Sequence, residues 1–174
     1  AASDVYKRQA LNRLKDYGVD TKYVKTISGE CRTSLAIYES TLDNFQNVIY
    51  RNNAADFQVE IADVDLVHYN NYSAIITAGT VFASEPSRSS TFHAIENARQ
   101  AGIPVIFDID YRPYSWPSAE IASDVLSKAG MSSDLIVGND EEFGFMAGDY
   151  GKGLDKAKEL ASLGTTVIYK MGEQ

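Results

Sequence analysis

Residues 107–113 read Phe-Asp-Ile-Asp-Tyr-Arg-Pro, which sets two carboxylates and a guanidinium at every second position. Alternate side chains of an extended backbone share one side, so Asp108, Asp110 and Arg112 are expected to face a common crevice. That trio suits a hydroxylated, acidic ligand: Arg112 can grip a carboxylate through two parallel N–H donors while an aspartate accepts from sugar hydroxyls. A plainer reading is an Asp–Arg ion pair that stabilises a strand end. The D-x-D of phosphatases that form an aspartyl-phosphate is a third reading. It fits poorly, because Tyr111 and Arg112 occupy the places where that motif continues with a small glycine turn.

Three further clusters could carry chemistry. Asn139-Asp140-Glu141-Glu142 closes a predicted strand and opens a helix, placing oxygens near the positive end of that helix, where Glu142 could hold Mg²⁺ through water. The alternative is an Asn cap followed by acids in the first turn. Lys170-Met171-Gly172, after the last predicted strand, could reach a nucleotide phosphate or be a polar strand end. Tyr50-Arg51-Asn52-Asn53-Ala54-Ala55-Asp56 is a polar cluster in which Arg51 could serve an anionic ligand. Tyr69, Tyr72, Tyr111 and Tyr114 read as packing groups with wet hydroxyls, and His93 as a partly exposed structural residue.

The elements that must position these residues follow from periodicity. Apolar β-branched runs at Ala74–Gly79, Val105–Phe107, Leu135–Val137 and Thr166–Tyr169 predict four strands. Between them, helices are expected from Ser84-Glu85-Pro86 to Gly102, from Pro117-Ser118 to Gly130, from Glu141 to Met146 and from Leu154 to Leu163. Strands apolar on both faces, alternating with helices, predict an α/β fold with a parallel sheet covered by helices and joined by right-handed crossovers. In such sheets ligands bind beyond the carboxyl ends of the strands. Upstream, Arg32–Tyr38 and Asn47–Arg51 flank the turn-like Leu42-Asp43-Asn44 and predict a hairpin. With no linker in between, this appendage is expected to share one folding unit with the core.

The 174 residues carry 24 acids against 16 bases, for a net charge of −8. Neither a nucleic-acid backbone nor an anionic membrane finds its basic footprint here, and no apolar run approaches the roughly 20 residues of a membrane span. One cysteine and two histidines exclude a disulfide framework and a Cys/His zinc site; a cytoplasmic location is expected.

Taken in order from about Leu11 to Gln174, these features resemble the PfkB (ribokinase-like) sugar kinases. The resemblance rests on Gly18-Val19-Asp20, on residues 50–56, on Ser84-Glu85-Pro86-Ser87-Arg88, and above all on residues 107–113 with Trp116. Within the family the pattern is closest to the 5-dehydro-2-deoxygluconokinase branch of inositol breakdown, with 2-keto-3-deoxygluconate kinases next. Asp110 and Pro113 favour the first branch. Asn139 matches the general N-x-x-E motif where that branch carries Thr, so the choice of sugar, fructose included, stays open.

The resemblance implies a ribokinase-like parallel sheet with a small β lid, lid strands at about 30–59 and α/β core at about 73–174. It implies that Arg51, Asn53, Asp110 and Arg112 bind a sugar acid, that Asn139 and Glu142 position phosphate and Mg²⁺, and that Lys170 and Gly172 begin an ATP site. Such lids often pair between subunits, which implies a homodimer. The reaction implied is transfer of the ATP γ-phosphoryl to a terminal hydroxyl, a matter of positioning and charge neutralisation. The family's catalytic base sits in a G-A-G-D segment that residues 1–174 do not contain, so no catalytic base is assigned here and the chain alone is expected to be inactive. Both ends read as cut. Asp4-Val5-Tyr6-Lys7-Arg8-Gln9 back-translates into a sequence like a transposon end used in sequencing libraries, so residues 1–9 are set aside as an adapter artefact. A non-catalytic sugar- or nucleotide-binding module of the same fold is the competing class.

Overall fold

The computed structural model describes residues 2–40 and 45–172, and the chain divides into two compact units, 1–59 and 60–174. The first opens with helix α1 (Ala2–Asp16). Gly18 ends it: a φ of +76° lets the N–H groups of Gly18 and Val19 turn back onto the carbonyls of Lys15 and Leu14. Strands β1 (Leu35–Ser40) and β2 (Phe45–Tyr50) then pair antiparallel, Leu35 opposite Tyr50 and Ile37 opposite Val48. The predicted hairpin is present, and its expected turn at Leu42-Asp43-Asn44 lies outside the described residues. Leu35, Ile37, Val48 and Tyr50 stay half exposed; a two-stranded sheet with an open apolar side is marginal by itself.

The second unit begins with α2 (Ile61–Val64) and carries four parallel strands, β3 (Ile75–Ala78), β4 (Val105–Asp108), β5 (Leu135–Asn139) and β6 (Thr166–Lys170), hydrogen-bonded in that order. Between them run α3 (Ser87–Gln100), α4 (Ala119–Met131), α5 (Asp140–Ala147) and α6 (Gly153–Ser162). The register sets Thr77, Phe107, Ile136 and Val167 side by side on one face. That face holds the core: Val105, Phe107 and Ile136 are fully buried together with Phe82, Leu126, Phe143 and Leu160, and the Phe82 ring stands edge-on to Phe107 at 5.9 Å.

The other face, with Ile76, Ile106 and Leu135 in one register row and Val137 and Ile168 in the next, is open: Ile76 is 73% exposed and Ile168 46%. Both faces are apolar, as the sequence predicts, yet the described residues cover only one. Strand order supplies the reason. Each strand is added on the same side of its predecessor, and right-handed crossovers in one direction lay every helix on the same face.

Two helix boundaries differ from expectation. Ser84 does not cap α3; its hydroxyl donates to the Glu85 carbonyl (3.2 Å), and the Glu85 carboxylate, which reaches further, accepts from the Ser89 N–H (3.2 Å). Gly130 does not close α4 but lies inside it, where a Cβ would come within 3.2 Å of Ile136 Cδ1. Its missing side chain lets α4 press onto β5. Elsewhere the expected signals operate: the Ser118 hydroxyl accepts from the Ile121 N–H (3.3 Å), and Gly102 and Gly164 take positive φ just past α3 and α6. Among the described residues no helix is long and apolar enough to cross a membrane.

Candidate active site

The polar residues gather where the second unit's strands end. β4 is prolonged by one residue, the Ile109 N–H donating to the Val137 carbonyl (2.9 Å), and the Ile109 side chain is fully buried. It is wedged between two glycines on the flanking strand ends. A Cβ on Gly79 would stand 1.9 Å from the Ile109 carbonyl oxygen, and one on Gly138 would stand 2.5 Å from Ile109 Cδ1. Only glycine at both places admits the chain along this path.

Directly after the wedge the backbone departs from extended. Asp110 has a φ of +34°, a left-handed conformation that Asp tolerates better than most residues. This breaks the expected alternation. Asp108 stays in register between Ala78 and Val137 on the open sheet face and makes no side-chain hydrogen bond or ion pair with described residues. Asp110 and Arg112 instead turn toward each other, Arg112 Nη2 lying 2.6 Å from Asp110 Oδ1. The expected trio is therefore a pair, with Asp108 apart.

Arg112 is held by more than Asp110. Its Nη1 donates to the Tyr111 carbonyl (2.9 Å) and lies 3.8 Å from Glu142 Oε1. Glu142 comes from the neighbouring strand end through a capping box: Asn139 Oδ1 accepts from the Glu142 N–H (2.8 Å), and Glu142 Oε2 accepts from the Asn139 N–H (2.9 Å). The helix-cap reading is thus present in full, and it leaves the second Glu142 oxygen turned to Arg112. The Arg112 and Asp110 side chains remain 36% and 29% exposed, so their attraction is moderated by water and an incoming anion can compete for the guanidinium. Thr80, a polar residue directly after Gly79 beyond the end of β3, where the sequence already points to ligand-facing groups, sets its hydroxyl 3.4 Å from Asp110 Oδ2.

Lys170 is exposed at the end of β6, beside Asn139 in register, and makes no ion pair among the described residues; Gly172 follows with a φ of +66°. Tyr111 is packing material as expected: 6% exposed, its ring centroid 4.0 Å from that of Phe145, its hydroxyl pushed up first by burial and then by Tyr150 and Glu120. The Tyr69 hydroxyl donates to the Val64 carbonyl (3.1 Å). Tyr72 and Tyr114, by contrast, are 40% and 52% exposed; the first ends and the second sits within a short 3-10 turn. His93 is structural, its Nε2 2.7 Å from Asp65 Oδ1.

In the first unit, Arg51 is ion-paired to Asp56 and lies over the Phe57 ring, its guanidinium carbon 4.3 Å from the centroid. Asn53, at φ +51°, accepts the Arg32 N–H on its carbonyl (2.9 Å), and the Ala55 N–H donates to the Arg32 carbonyl (2.9 Å). The loop so pinned lines a concave surface with Cys31, Arg32, Thr33, Ser34, Asn52 and Asn53. The structure thus brings Asp110, Arg112, Asn139 and Glu142 together in one unit and places Arg51 and Asn53 in the other.

Mg²⁺ can be tested against these residues. Among the described residues no group of three His, Cys, Asp or Glu forms a metal cage, and Glu142 has spent one oxygen on its cap. Mg²⁺ habitually keeps waters and takes most of its remaining ligands from substrate phosphates, so the Glu142 oxygen that faces Arg112 fits a role through water and no more.

Comparisons with known proteins bear on the family and the fold. The model of the pfkB family carbohydrate kinases matches residues 2–174. A 5-dehydro-2-deoxygluconokinase of Geobacillus kaustophilus (strain HTA426) is 36% identical over 146 residues, covering 83% of this chain and 44% of that protein. The chain therefore spans less than half the length of this curated relative. Among solved structures, a PfkB protein from Polaromonas sp. JS666 superposes with a TM-score of 0.82 at 23% identity, over 95% of this chain and 56% of that one. A fructokinase from Vibrio cholerae O395, solved with fructose, ADP and potassium ion, gives 0.81 at 23% identity over 95% and 53%.

Proposed function

The chain belongs to the pfkB family of carbohydrate kinases, and from that premise we propose that the protein works as an ATP-dependent kinase of a sugar acid, with 5-dehydro-2-deoxygluconate as first candidate. The observation that carries the reading is Arg112 at the carboxyl edge of the sheet, held between Asp110 and Glu142. A guanidinium has five donors in a planar fork, and a substrate carboxylate replacing part of the Asp110 contact would take two of them. Asp110, released on one side, then accepts from a sugar hydroxyl. On a chain of net charge −8, an anionic substrate has to rely on such placed cations rather than on the long-range field.

Arg51 and Asn53 belong to the same proposal as contributions of the lid, with Arg51 exchanging part of its Asp56 contact for the substrate. Asn139 and Glu142 orient phosphate and water-bound Mg²⁺, which when present neutralises charge on the transferred group; Lys170 and Gly172 start the nucleotide site. The open apolar side of the hairpin, Leu35, Ile37, Val48 and Tyr50, supports pairing of two lids in a homodimer. Residues 1–174 contain no G-A-G-D segment, so the base that deprotonates the hydroxyl is not among them, and the chain alone is expected to be inactive.

The full-length protein assayed for ATP consumption with 5-dehydro-2-deoxygluconate, 2-keto-3-deoxygluconate and fructose tests the reading. Turnover of a sugar acid is expected, with R112A lowering kcat/KM at least about 100-fold through loss of a charge-assisted contact. Turnover of fructose alone, or of none, overturns it. Fructose is the live alternative because a structural neighbour was solved with it bound.

A further inference from the structure

We infer that Thr80 is a positioning residue for Asp110, and through it sets how tightly the sugar is held; this rests on the proposed function above. Thr80 lies in the turn Gly79–Phe82 that follows β3, and three contacts hold that turn in place. Gly79 packs directly against the backbone of Ile109. The Ser87 hydroxyl donates to the Val81 carbonyl (2.8 Å). Arg88 clamps the rest, Nε donating to the Phe82 carbonyl (2.6 Å) and Nη2 to the Ala83 carbonyl (3.1 Å). The Thr80 hydroxyl therefore approaches Asp110 from a fixed platform on the neighbouring strand end.

Asp110 needs such a partner. Its backbone is left-handed, and Arg112 holds one carboxylate oxygen. With Arg112 as its only tether, Asp110 would be free to reorient whenever a substrate anion drew the guanidinium away. Thr80 supplies the second tether, on Oδ2. Each carboxylate oxygen has two acceptor sites, so a sugar hydroxyl can still donate to Asp110 while Thr80 holds it. At 3.4 Å the contact is at the long limit of a hydrogen bond, which places the expected effect at the small end of bonds to a charged group.

In the full-length protein, T80V should raise KM for the sugar about three- to tenfold, leaving KM for ATP unchanged and kcat within about twofold, and T80S should restore the wild-type value. In a D110N background T80V should add nothing further. A sugar KM unchanged by T80V overturns the inference, and so does a rise of equal size in the D110N background. Equal changes in both KM values and kcat also overturn it, as a merely structural role. Where T80V lowers Tm by more than a few degrees, the same comparison between T80A and T80S decides. Absence of sugar turnover in the wild-type protein is a different result: it overturns the kinase reading and the role of Thr80 with it.

Discussion

The two faces of the sheet in the second unit share a composition and differ in everything else. Thr77, Val105, Phe107 and Ile136 lie under helices at zero to 8% exposure, while Ile76, one residue from Thr77, is 73% exposed. Hydrophobicity along these strands marks both faces equally; which one is covered depends on the order in which strands join. The contribution of an apolar side chain to stability therefore cannot be assigned from its identity without its register.

Substitutions can break or sharpen that contrast, and urea unfolding reads the first three. Phe107→Ala should have the largest effect, about 3–5 kcal/mol, as a large side chain lost from a closed core. Gly79→Ala follows at about 1–3 kcal/mol, since its Cβ has no room beside the Ile109 carbonyl. On the open face Ile76→Thr should stay within about 0.5 kcal/mol; a cost as large as that of Phe107→Ala would show that the two faces are equally buried in solution. Replacing Ile76 and Ile168 together by Lys should raise solubility and reduce self-association in analytical ultracentrifugation, because it breaks up a contiguous apolar patch. No change would mean that the patch is not accessible.

The smallest effect belongs to neither face. The Asp65 carboxyl is held below its ordinary value of 3.8 by its hydrogen bond to His93, then by that from Asn97. A carboxyl depressed in the folded state contributes above its unfolded value, and the contribution disappears as pH falls through the folded one. Tm measured against pH should thus fall slightly less steeply below 3.8 in D65N than in the wild type.

Much of this was legible in the sequence. Four strands, their intervening helices and the hairpin follow from period and punctuation, and the Asp110–Arg112 pair from its motif. Asp108 stands apart from the pair because alternation presumes an extended backbone, whereas the chain turns left-handed at Asp110, directly after the Ile109 wedge. Gly130 reads as a stop signal by itself; only the position of Ile136 shows it to be a packing gap. The open face could not be read from any strand, since coverage is a property of strand order. The Asn139–Glu142 box was legible, but its second use, the Glu142 oxygen that reaches Arg112, needed the neighbouring loop in place.

The wedge of Ile109 between Gly79 and Gly138 has a thermodynamic consequence for ligand capture. A loop that carries binding groups usually surrenders conformational freedom when the ligand arrives, and affinity falls by that amount. Here the backbone leading into Asp110 and Arg112 is immobilised already when the sheet forms, with an isoleucine locked on both sides. The entropy loss falls on folding, and a ligand taken up at this pair, as proposed, would find only the side-chain rotamers of Asp110 and Arg112 left to order there.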